Sequence, residues 1–249
     1  MEINTYILKG IVHPQRALLT FSKPVISQEI EYGSGVKLQF ELNIVCNQIT
    51  IWIKTSGKRN IKTLRNIGSY ITRTACFVYS YTLGHGYSIE ITQILCKELG
   101  VDYVFGIDVP EIRKRELADK IILRHNEILA LTANESGQYI IRCFKDLNQA
   151  ILDTDDNAFH GFRALESLRQ YCRLVYNIDS EKDQWNKLAE ITGFGKDYID
   201  EIRLRAFPIR HGNNGAQTDE IGNLNILLKT WNVVDNFILY ILDNPVNQG

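Results

Sequence analysis

Val101-Asp102-Tyr103-Val104-Phe105-Gly106-Ile107-Asp108-Val109-Pro110-Glu111 decides how this chain folds, because its two ends obey different rules. On the left, Val101, Tyr103, Phe105 and Ile107 occupy alternate positions, the period-two pattern of a strand with one buried face. On the right, Asp108 is followed three residues later by Glu111, with Pro110 in the first turn, which is a capping-box-like helix start. No convincing strand follows. The junction therefore predicts an α+β protein: an N-terminal antiparallel sheet with one packed helix over residues 1–108, then an all-helical bundle over residues 109–249.

Working back from the junction, Tyr87, Ile89 and Ile91 alternate with polar residues, and Val36 to Ile44 does so without an error. Ile49 to Ile53 is its neighbour, and the short link Asn47-Gln48 predicts an antiparallel hairpin. Weaker strands are expected at Thr5–Leu8, Ala17–Phe21 and Ile26–Tyr32, with a turn at Gly33-Ser34-Gly35. Between the two β regions, Ile61, Leu64, Ile67, Ile71, Ala75 and Val78 fall at helical spacing, and Gly84-His85-Gly86 ends that helix. No phosphate-binding glycine motif occurs in this half.

Forward from the junction, one helix is expected from Glu111 to about Thr132, its mixed charges, Arg113, Lys114 and Arg115 among them, forming a solvated face. After Asn134-Glu135-Ser136-Gly137 a second runs from Gln138 to Leu152, with Ile141, Phe144, Leu147 and Ile151 inward. Asp153-Thr154-Asp155-Asp156 ends it, a carboxylate cluster without the length or glycine of a calcium loop. The third, Asn157 to Tyr176, has Phe162, Leu165, Leu168 and Cys172 inside and Arg163, Glu166, Gln170 and Arg173 outside, an ion-pair ladder by spacing. Trp185, Leu188 and Ile191 mark a short fourth helix. A fifth buries Tyr198, Ile199, Ile202 and Phe207 and must kink or stop near Phe207, because Pro208 lacks the backbone donor and its ring collides with the preceding turn. The sixth, Asp219 to Leu242, has an apolar side broken only by Asp235.

With 249 residues, 45% of them hydrophobic and 23% charged, the chain has ample core for one large or two modest domains. A net charge of -1 excludes a global field pulling it toward nucleic acid or anionic lipid, so any such contact is a local patch. Five dispersed cysteines without a Cys-x-x-Cys pair point to reduced thiols in the cytoplasm, and neither they nor the five scattered histidines have metal-ligand spacing; no metal or cofactor is expected. No signal peptide and no stretch of membrane-spanning length is present in the sequence, so no membrane association is expected.

The local patch is Arg203-Leu204-Arg205-Ala206-Phe207-Pro208-Ile209-Arg210-His211-Gly212. Arginines and a histidine at a helix end can cap carbonyls and answer the helix dipole. They also suit phosphodiester chemistry, since guanidinium matches phosphate and imidazole titrates near neutrality. Together with Phe162-Arg163-Ala164-Leu165-Glu166-Ser167-Leu168-Arg169 and the Trp-bearing helix between, this stretch resembles the HEPN superfamily over roughly residues 136–249. Those are helical-bundle proteins that include ribonucleases of toxin–antitoxin and antiviral systems, and their motif, an arginine four to six residues ahead of a histidine, is met by Arg205 and His211. Ala206 stands where catalytic members commonly carry a polar residue, and Pro208 lies inside the motif.

The resemblance implies a metal-independent endoribonuclease working as a homodimer through the C-terminal bundle, with RNA as partner. It makes Arg205 and His211 catalytic, Arg210 and Arg203 substrate-binding, and Glu166 and Arg163 the residues that orient them. Positions six apart on a helix lie about 240° round from each other, so a kink at Pro208 or a second subunit is needed to bring Arg205 and His211 together. The alternative is a non-catalytic dimeric interaction or sensor protein using the bundle as scaffold, with a protein partner on the N-terminal domain.

Overall fold

Leu38, Phe40, Leu42 and Ile44 face Ile53, Ile51 and Ile49 across one hairpin, and all seven are at most 2% exposed. That single apolar face organises the first of two units into which the computed structural model divides, residues 1–107 and 108–249. The structure describes residues 3–21, 26–32, 36–106, 109–154, 156–210 and 220–245.

In the first unit, β1 (Ile3–His13), β2 (Ile26–Tyr32), β3 (Val36–Val45), β4 (Gln48–Ser56), β5 (Ser88–Cys96) and β6 (Val101–Val104) form one sheet in the order β2-β3-β4-β1-β5-β6. Every neighbouring pair is antiparallel. α1 (Ile61–Leu83) covers one face, burying Leu64, Ile71, Ala75 and Cys76. Gly68 lets it approach closely, since a Cβ there would lie 2.7 Å from Leu8 Cδ2 and 3.1 Å from Ile51 Cδ1. Asn60 caps the helix start and Gly84, at φ 66°, ends it. Val78, expected inward, is 56% exposed, because the buried side passes through Ala75 and Cys76 instead.

The β3–β4 turn sits one residue earlier than Asn47-Gln48. Cys46 and Asn47 are its centre, at φ 47° and 65°, the left-handed pair that matches strand twist. Asn47 is 2% exposed and its amide serves a neighbouring segment. It accepts from the Leu19 N–H and donates to the Pro14 and Gln15 carbonyls at 3.2 and 2.7 Å. Those bonds explain why Ala17–Phe21 is no strand: the chain makes a 3-10 turn at Gln15–Ala17 and continues irregularly.

In the second unit the expected helix from Glu111 to Thr132 is three short ones, α2 (Pro110–Arg113), α3 (Ala118–Leu123) and α4 (His125–Leu131). Asp108 lies outside the described residues, and Val109 holds the cap position with no side-chain bond. Arg115, read from the sequence as solvated, sits at the first break and is drawn inward. It lies between α2 and α3, donates to the Ile112 carbonyl at 2.9 Å and, through Nη2, to Asp235 at 3.1 Å.

α5 (Gly137–Leu152), α6 (Asn157–Val175), α7 (Glu181–Thr192), α8 (Lys196–Arg210) and α9 (Glu220–Asp243) complete the bundle. α6 buries Phe162, Leu165, Leu168 and Cys172 as its spacing predicts. α5 is rotated by a residue from its expected face: Ile140, Cys143, Leu147 and Ala150 are buried, while Ile141 is 51% exposed. α8 does not stop near Phe207. It stays helical through Pro208, and small Ala206, not Phe207, continues the buried line of Ile199 and Ile202. α9 buries Ile226, Val233, Val234, Phe237, Ile238 and Ile241, with Asp235 among them at 4% exposure.

Burial holds the Asp235 carboxyl above the ordinary carboxylate range, and Arg115 offsets only part of that cost. Its own contribution to stability is therefore greatest at low pH and falls as pH rises through the folded-state pKa. Arg115→Ala is expected to destabilise the protein by about 3–5 kcal/mol, because it strands a buried charge, whereas Arg115→Met with Asp235→Leu should be near neutral. Urea denaturation measures both. In the same assay, the stability difference between Asp235→Asn and the parent should move in the variant's favour as pH rises from the carboxylate range.

Candidate functional site

α8 carries the basic stretch on a helix held to the core by Ile199, Ile202 and Ala206, which leaves its other positions to solvent. Arg205 is exposed and takes part in no ion pair among the described residues. Arg203 is engaged, its Nη2 lying 3.1 Å from Asp200. Glu201, one turn before Arg205, pairs with Lys229 on α9. The side chain of Arg210 and all of His211 lie outside the described residues, as do Gly212 to Gly215.

Arg163 and Glu166 open onto a groove of about 420 Å³ between α5 and α6. Arg163 does not simply form the expected ladder along its own helix. It crosses to Asp146 on α5, 3.4 Å away, and its guanidinium lies 5.5 Å from the Phe159 ring centre. Asp146 is 4% exposed and also lies 3.9 Å from His160 Nδ1. A carboxylate this deep in an apolar helix face requires cations around it.

The groove's other side chains were missed in the sequence. Arg142 and Lys145 sit one turn apart on α5, and Arg169 reaches across to Gln184 on α7 at 2.6 Å. Four cations, Arg142, Lys145, Arg163 and Arg169, face two carboxylates, Asp146 and Glu166, so the groove has a surplus of two positive charges on a chain whose net charge is -1. The available signal was Asp146, a polar residue beside Cys143 and Leu147 in the buried line of α5.

The sequence-derived candidates thus fall in three places. Arg163 and Glu166 share the α5–α6 groove, Arg203 lines a second cavity against α6 and α7, and Arg205 lines neither. Among the described residues no group of three or more His, Cys, Asp or Glu is placed to hold a metal; Asp155 of the 153–156 cluster lies outside them. Burial pushes the Cys76 thiol up to about 11 and Cys172 to about 12, and pushes Cys143 up as well, so none is a thiolate nucleophile at neutral pH. No helix among the described residues is long and apolar enough to cross a membrane.

Residues 6–105 match the family described as the N-terminal domain of a domain of unknown function, DUF8168, and residues 125–242 match its C-terminal domain. The chain carries both domains in order and belongs to that family. No curated protein and no solved structure matches it.

The charge surplus predicts that the groove takes up phosphates. For a single-stranded oligonucleotide, the slope of log binding constant against log salt should shrink by about 1.4 in Arg142→Ala with Lys145→Ala, two lost phosphate contacts at about 0.7 each. An unchanged slope would show that the groove holds no phosphate.

Proposed function

We propose that this DUF8168-family chain is a metal-independent endoribonuclease of the HEPN type, working as a homodimer through its helical unit. Arg205 carries the reading. It stands exposed and outside any ion pair among the described residues, on a helix seated in a bundle, with His211 six positions ahead. The cationic surplus of the α5–α6 groove supports an RNA partner, and the five free cysteines suit a cytoplasmic setting.

In this reading a neutral His211 imidazole takes the proton from a ribose 2′-hydroxyl, whose oxygen attacks the adjacent phosphorus. The bond to the 5′-oxygen breaks, leaving a 2′,3′-cyclic phosphate, and an imidazolium of the second subunit returns a proton to the departing oxygen. Arg205, with Arg210, holds the non-bridging oxygens as charge builds on them. The second subunit matters because α8 remains helical through Arg210 rather than ending at Phe207, and positions six apart on a helix lie about 240° round from each other. Arg163 and Glu166, expected to orient these groups, line the α5–α6 groove apart from Arg205, where Arg163 serves the RNA partner instead.

One observation favours a second reading. α8 also exposes Leu204 at 67% and Phe207 at 58%, apolar side chains suited to protein contact, as a non-catalytic interaction or sensor scaffold would need.

Incubation of the pure protein with total RNA, with and without chelator, separates the two. Cleavage should survive the chelator, and Arg205→Ala and His211→Ala should each lower its rate by at least about 100-fold while the dimer persists in solution. Absence of chelator-resistant cleavage, or cleavage unchanged in His211→Ala, removes the nuclease and leaves the scaffold.

A further inference from the structure

Phe162 and Trp185 form a stacked pair in the wall of a cavity of about 430 Å³ bounded by α6, α7 and α8. Their ring centres are 5.7 Å apart and their planes differ by 16°. Phe162 is 7% exposed and Trp185 half-buried, so the indole is the ring with surface left to offer. It is held from its own unit: the Arg169 guanidinium lies 5.4 Å from the indole centre and is itself fixed by Gln184. Ile199 and Ala189 extend the apolar wall, and Asn186 contributes an amide. A cavity of this size with one apolar wall and one charged wall suits a small amphipathic ligand, and a half-open aromatic pair selects a planar one.

Charge narrows the class further. Lys182, Lys196 and Arg203 face Glu181 and Asp200, three cations against two carboxylates. Arg203, the side chain best shaped for a phosphate, is already taken by Asp200 at 3.1 Å, and Glu181 lies 3.8 Å from Arg169. Lys182 and Lys196 remain, in no ion pair among the described residues. Glu181, well exposed and only loosely held at 3.8 Å from Arg169, still offsets one of them, so the lining carries a net charge of +1, complementary to a monoanion.

We propose that this cavity binds a planar aromatic monoanion, such as an aromatic carboxylate, with the ring against Trp185 and the charge between Lys182 and Lys196. The assignment is independent of the nuclease reading: it uses neither Arg205 nor His211. Because Lys196, Ile199, Asp200 and Arg203 belong to α8, an occupant would grip the helix that also carries Arg205.

Calorimetric titration of the full chain with 2-naphthoate tests it. Saturable binding with a Kd below about 1 mM is expected. Lys182→Ala with Lys196→Ala should weaken it at least about fivefold, since both side chains are exposed and each contributes little alone. Trp185→Leu should weaken it further, with unchanged circular dichroism confirming the fold. The neutral 2-naphthalenemethanol and acetate should bind far more weakly, and 2-naphthyl phosphate no more tightly than the carboxylate. No saturable binding, equal binding of the neutral analogue, or indifference to the lysine pair overturns the proposal. Tighter binding of the phosphate overturns the monoanion assignment.

Discussion

A carboxylate in the middle of an apolar helix must be given a cation, and in the helical unit that requirement is met twice. Asp235 on α9 draws Arg115 inward from between α2 and α3, and Asp146 on α5 draws Arg163 and the His160 ring from α6. Apolar packing alone tolerates sliding of one helix on another, since Leu against Ile is nearly as good one turn on. A buried ion pair does not, because a displaced partner leaves a charge without solvent or counter-ion. These two contacts therefore favour one register of their helices, and the first of them adds to the apolar docking of α2 to α4 through Ile112, Ile121, Ile128 and Leu131.

α6 is where structure and chemistry meet. Its inward line of Phe162, Leu165, Leu168 and Cys172 fills the bundle, and its other positions supply walls to two openings. Phe162 belongs to the cavity shared with α7 and α8, while Arg163, the next residue, belongs to the groove shared with α5. One helix thus separates an aromatic recess from a cationic trench. Gly161 keeps it close to α9, since a Cβ there would stand 2.8 Å from Thr230 Oγ1.

The strands of the first unit were legible because each buries one face, so Leu38 to Ile44 writes its period directly into the sequence. Turn chemistry was less so: Cys46 adopts a left-handed conformation that its side chain does not advertise, and Ala17–Phe21 lost its strand to a distant amide, Asn47. In the helical unit, α6 was read correctly because Phe162, Leu165, Leu168 and Cys172 keep one face. On α5 adjacent apolar pairs such as Ile140 and Ile141 leave the centre of burial undetermined by about one residue. The groove stayed hidden for a different reason. Charged residues on a helix read as solvent-facing, and only the fold reveals that Asp146 and Asp235 sit among hydrophobic neighbours and recruit arginines from elsewhere in the unit.

Pro208 stands within α8 rather than at its end. With no N–H at that position, the carbonyl of Leu204, one turn earlier, has no intrahelical donor and must look to water or another molecule. The hydrogen-bond ladder thus has a rung missing beside Arg205, and a helix can bend at a missing rung without breaking anything further. The last turn of α8 therefore lies beyond a ready-made elbow, able to tilt against the bundle at small energetic cost while Ile199, Ile202 and Ala206 stay anchored.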